Sequence, residues 1–238
     1  MFNDAWNQVY CGPAPDPVDL WASWNLDPIL LTCLGLLAFV IARKRNGAWA
    51  MLALVLAFVS PLCALSSALF SARVVHHILL VAVAAPHIAS ILPRHRSGSA
   101  TIAFVVSTVV LWAWHLPMAY DAALSHVGVY WLMQMTLLGS AIWFWREVFA
   151  PERSAVEAIS LTVGAFAQMG MLGAILTFAP QSLYAAHFMA PYAWGLTPLQ
   201  DQQLGGLLMW VPAGIPYAVL AVSLARRNWI ALRAGNVT

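Results

Sequence analysis

The chain has 238 residues, of which 62% are apolar and only 8% charged, with twelve tryptophans and a formal net charge of +2. A soluble domain keeps about a quarter of its residues charged, so this composition belongs in lipid and sets aside a water-exposed globular fold. The net charge is too small and the Lys/Arg runs too short for nucleic acid.

Seven apolar stretches are long enough, or nearly so, to cross a hydrocarbon core of ~30 Å at ~1.5 Å per residue. They lie near 28–42, 48–70, 74–93, 100–117, 127–149, 155–179 and 199–225. The first is short, and Trp21 and Trp24 before it suit an interfacial aromatic belt. Ser154 with Glu157 reads as a capping box opening the sixth helix. Thr197, Pro198 and Gln200 supply an N-cap, a first-turn proline and a box partner for the seventh. Pro61, Pro86, Pro212 and Pro216 fall inside apolar stretches and predict kinks. The N-terminal residues lack a basic region leading straight into an apolar run, so no cleaved signal peptide is expected. Cys11, Cys33 and Cys63 share no CxxC spacing and give no disulfide framework.

Basic residues set the expected orientation. Arg43, Lys44 and Arg45, then Arg94 and Arg96, then Arg146 and Arg153, and finally Arg226, Arg227 and Arg233 fall on alternate connections. That side is cytoplasmic by the positive-inside rule. The opposite side carries Arg73 against Asp4, Asp16, Asp19, Asp27, Asp121 and Asp201. The expected protein is an all-α bundle of seven transmembrane helices in a bacterial inner membrane, N-terminus periplasmic and C-terminus cytoplasmic. Residues 1–27 form a periplasmic segment, 28–225 the transmembrane domain and 226–238 the cytoplasmic tail.

Five of the seven histidines, His76, His77, His115, His126 and His187, map to the outer end of this bundle. Histidine is the commonest metal-ligating side chain, and ionisable groups at membrane depth point to function. His76 and His77 open the third helix, about 100° apart on its surface, so they do not readily chelate one ion together. His115 occupies the last turn before Pro117, at a depth comparable to His77, which makes a shared site feasible. Asp201 lies in the first turn of the seventh helix, on one face with Gly205, Leu208, Met209 and Pro212. Its plain role there is to complement the positive end of that helix. His77, His115, Asp201 and His76 form the candidate metal site; Arg73, Met209, His126, His187 and Met118 are auxiliary candidates, His126 and His187 for capture from loops. Imidazole and thioether together suit copper, as Cu(I). Each methionine taken singly is ordinary core filler.

The order and spacing of several stretches resemble the CtaG family of integral-membrane cytochrome c oxidase assembly factors. These are Ser60-Pro61, Phe70-Ser71 with His77, Trp114-His115-Leu116-Pro117 with Tyr120-Asp121, Leu183-Tyr184, Asp201 to Gly206, and Met209-Trp210-Val211-Pro212. The resemblance covers nearly the whole chain. It implies a non-enzymatic protein that delivers or positions copper for a haem-copper oxidase, with oxidase subunits and a periplasmic copper chaperone as partners, and His77, His115 and Asp201 at the site. The family often has a His-Met pair where this chain has Arg73-Val74, commonly Gln at His76, and a further His near Leu132. An arginine donates only and repels a cation. That departure keeps a second reading in view, a stable accessory subunit docked on the oxidase without a metal of its own. A b-type haem held by His77 and His115 is a third.

Overall fold

The computed structural model describes residues 10–93 and 98–235. Asp4, Arg94, His95 and Arg96 lie outside the described residues, as does the side chain of Arg227. Helices α1 (Pro28–Ile41), α2 (Arg45–Phe58), α3 (Leu62–Ala68), α4 (Phe70–Ile78) and α5 (Ala85–Ile91) form the first half. After them come α6 (Ala100–Trp114), α7 (Pro117–Ser125), α8 (Val127–Val148), α9 (Ala155–Thr177), α10 (Pro198–Trp210) and α11 (Gly214–Gly235). Among the described residues there are no strands.

Among the described residues, four stretches are long and apolar enough to cross a membrane: Phe70–Ile91, Val127–Val148, Ala155–Thr177 and Pro198–Arg226. Two bent pairs raise that to six if each is one span: α2 with α3 at 45°, and α6 with α7 at 72°. Proline accounts for both bends, because Pro61 and Pro117 lack the N–H that would continue the preceding ladder. The expected fourth span therefore stops at Trp114, and α7 turns aside as a separate helix. Seven spans would count α1 as well, whose 14 residues are apolar but short.

The kink expected at Pro86 takes the form of a π-helical segment, Leu79–Ala84, just ahead of it. One surplus residue shifts the ladder, so Ala85 N–H reaches Leu80 O. Trp145 Nε1 donates to Val81 O at 3.0 Å, so the widened turn keeps its carbonyl satisfied. The capping box at Thr197 and Gln200 forms in both directions, with Pro198 at the first position. Ser154 accepts from Glu157 N at 3.2 Å, but the Glu157 carboxylate turns to Arg153 rather than back to the cap.

Cys11 and Cys63 form a disulfide, which the absence of any motif spacing concealed. The bond ties the N-terminal segment to the start of α3. Ser67 Oγ donates to Gly12 O at 3.2 Å, and Trp194 Nε1 to Pro15 O at 3.2 Å, so this segment lies across one end of the bundle.

Glycine lets α9 and α10 approach almost backbone to backbone. A Cβ on Gly206 would lie 2.5 Å from Gly173 O and 2.7 Å from Thr177 N; one on Gly173 would lie 2.7 Å from Gly206 O. Backbone atoms cannot swing away as a side chain does, so small residues here set the helix separation. Gly206→Ala is expected to destabilise the protein by about 1–3 kcal/mol, the usual cost of overpacking. Thermal unfolding in detergent measures this, and an unchanged Tm would contradict the close packing.

Candidate metal centre

Helix α4 starts abruptly, and its cap comes from another helix. Leu69 is extended (φ −119, ψ 131) and supplies no side-chain acceptor to the first turn. Asp201 supplies it instead: Oδ2 accepts from Phe70 N at 2.6 Å, and Oδ1 from Ser71 N at 3.1 Å and Ser71 Oγ. A carboxylate facing the unpaired N–H groups and positive end of a helix is a favourable pairing. Asp201 is fully buried, so α10 and α4 are locked together at this point. One turn along α10, Gly205 makes room for the Phe70 ring, whose Cδ1 would lie 2.5 Å from an added Cβ.

From this fixed start, α4 carries His77 two turns down to face His115 at the end of α6. The ring centroids are 5.8 Å apart and the rings nearly perpendicular, at 78°. Both side chains are buried. His115 Nδ1 lies 2.7 Å from Leu111 O. A carbonyl only accepts, so Nδ1 carries the proton and Nε2 keeps its lone pair, the arrangement by which proteins orient a metal-binding imidazole. Both ring nitrogens of His77 are buried with no hydrogen-bond partner among the described residues. A small cavity of about 10 Å³ is lined by His77 and His115 together with Met169, Met209 and four aliphatic side chains. That is room for about one water-sized particle.

The other expected ligands sit elsewhere. His76 is fully buried but packs edge-on against Phe58, with centroids 4.9 Å apart, and does not line the cavity. Its two nitrogens also lack partners. Asp201 does not line the cavity either, and donors already occupy both of its oxygens. Among the described residues no cluster of three or more His, Cys, Asp or Glu side chains is placed to hold an ion.

Arg73, one turn before His77, is 0% exposed. Nε donates to Ser66 O at 3.2 Å, and the guanidinium lies over the Tyr130 ring, 5.3 Å from its centroid. Nη1 and Nη2 find no hydrogen-bond partner among the described residues. A buried cation so sparsely compensated is costly in a low-dielectric interior.

Of the auxiliary candidates, Met209 is buried and faces the cavity, at the end of the buried stripe that begins at Asp201 and Gly205. Met118 is 88% exposed on α7, and His126 is exposed at the α7–α8 junction. His187, read from the sequence as a capture residue, is enclosed and fully used. Nδ1 lies 3.1 Å from Ala68 O and so carries the proton, while Nε2 accepts from Tyr120 Oη at 2.7 Å. Met169 was missed, although the sequence held a signal. Ala165, Met169 and Gly173 follow at four-residue intervals and mark the interior face of α9, whereas Met171 turns outward and is 56% exposed.

Burial pushes the His187 imidazole down from its ordinary 6.5 to about 3, with the Ala68 contact opposing and the Arg73 charge assisting. The folded protein thus keeps His187 neutral where the unfolded chain protonates it. Stability from this group is full above about pH 6.5 and is lost as pH falls toward 3, by up to about 1.4 kcal/mol per pH unit. Thermal unfolding across this range should show that slope, and His187→Gln should flatten it.

The model of one protein family, the cytochrome c oxidase caa3 assembly factor (Caa3_CtaG), matches residues 94–231. No curated protein and no solved structure matches the chain.

Proposed function

This chain belongs to the cytochrome c oxidase caa3 assembly factor family, and we propose on that premise that it holds copper at the periplasmic face for insertion into a haem-copper oxidase. Copper here is cargo, and the protein catalyses no reaction. The observation that carries this reading is the His77–His115 pair: two buried imidazoles from different helices, ring centroids 5.8 Å apart, one oriented by a backbone carbonyl and the other without a hydrogen-bond partner among the described residues. Neutral imidazoles with free lone pairs suit a transition metal. His76, beside them, is a candidate neighbouring station, and Asp201 acts by fixing the helix that carries them.

Orientation is proposed with seven spans, α1 included, the N-terminus periplasmic and the C-terminus cytoplasmic in a bacterial inner membrane. The distribution of basic residues supports this. So does the Cys11–Cys63 disulfide, which lies at the histidine end and suits an oxidising compartment. Oxidase subunits and a periplasmic copper chaperone are the proposed partners there.

The test uses cells lacking the native copy. His77→Gln/His115→Gln supplied in its place should yield oxidase deficient in copper, partly restored by added copper salt. Fully metallated oxidase with the double variant would overturn the copper role. A second reading, a resident accessory subunit without a metal of its own, draws on the buried Arg73 cation one turn from His77, which would make this a polar network and oppose a bound ion. Stable co-purification with active oxidase and no copper in the isolated chain would favour it.

A further inference from the structure

We infer that the cargo site is a cuprous His2Met2 centre, with Met169 and Met209 as thioether ligands beside His77 and His115. This rests on the copper reading above and goes beyond it in naming the ligands and the oxidation state. Met169 comes from α9, Met209 from α10, His77 from α4 and His115 from the end of α6, so four helices each bring one donor-bearing side chain to the lining of a single small cavity. Both methionines are buried, at 2% and 3% exposure. The glycine contact between Gly173 and Gly206 fixes the separation of the two helices that carry them, and an added Cβ at Gly173 would sit 3.0 Å from Met209 Cβ.

Two physical arguments select Cu(I) over Cu(II) or Zn(II). Thioether sulfur is soft and pairs with the soft monovalent ion, whereas the harder dications prefer oxygen and nitrogen. The second concerns charge. All four donors are neutral, no carboxylate among the described residues lines the cavity, and the buried Arg73 guanidinium stands one turn from His77 on the same helix. A desolvated site with no anion penalises a dication far more than a monocation. The arginine further weakens retention, which suits a site that hands its ion onward.

The experiment loads the purified full-length protein with Cu(I) under anaerobic conditions and records X-ray absorption at the copper edge. The expected spectrum contains both imidazole nitrogen and sulfur scattering. Met169→Leu/Met209→Leu conserves side-chain volume and so keeps the fold. It should abolish the sulfur scattering and weaken Cu(I) retention against a chromogenic chelator by at least about tenfold, the scale on which metal sites respond even to outer-shell changes. Copper bound with nitrogen scattering alone, unchanged in the double leucine variant, would overturn the thioether assignment and leave the His77–His115 reading standing. Absence of bound copper in the wild-type protein would overturn both.

Discussion

Asp201→Ala is expected to destabilise the protein by about 3 kcal/mol or more. It removes three hydrogen bonds to one carboxylate and leaves Phe70 N and Ser71 N buried at the open end of α4. Bonds to a charged group contribute about 1.5–3 kcal/mol each, and each orphaned buried donor costs about 1–3 kcal/mol. Those terms overlap, so the lower end is the safe expectation. Asp201→Asn keeps the shape and some acceptor capacity and should lose less. Thermal unfolding in detergent separates the two variants. A wild-type Tm for the alanine variant would show that α4 does not depend on this cap. The loss should also reach the metal centre, because His77 is placed by the helix that Asp201 starts.

Loss of the Cys11–Cys63 bond carries the other large effect. Its closure spans a sequence separation of 52 residues. The chain-entropy account assigns a loop of that size about 4 kcal/mol, an upper value for a chain already confined by a bilayer. Cys11→Ser/Cys63→Ser, or reduction of the native protein, should lower Tm and free the N-terminal segment from Ser67 and Trp194. Proteolysis near residues 10–20 would then become faster in the variant. Equal Tm and equal cleavage with and without the bond would show that the segment is held by its other contacts alone.

Much of this was legible in the sequence because it depended on local rules. Thr197 and Gln200 formed the reciprocal cap that their spacing predicted, and Pro117 ended the fourth apolar stretch as a proline must. Depth matching alone brought His77 and His115 together, since two positions at equal depth on packed helices meet if both face inward. What stayed hidden depended on contacts between distant segments. Cys11 and Cys63 carry no spacing signal, so only the folded N-terminal segment reveals their bond. Asp201 was read as a candidate metal ligand, with a plain role in serving its own helix. Its side chain crosses to the start of α4 instead. Met169 went unremarked because depth alone carries no helical phase: it lines the cavity, while Met171, two residues on, turns outward. His187 was read from its loop position as a capture residue, whereas Tyr120 and Ala68 enclose it.

The central claim is that His77 and His115 together hold copper. An anaerobic titration of the purified protein with Cu(I) against a competing chelator tests it most directly. The wild-type protein should bind one equivalent, and His77→Gln/His115→Gln should bind none while keeping its helical content. Equal binding by both folded proteins would contradict it.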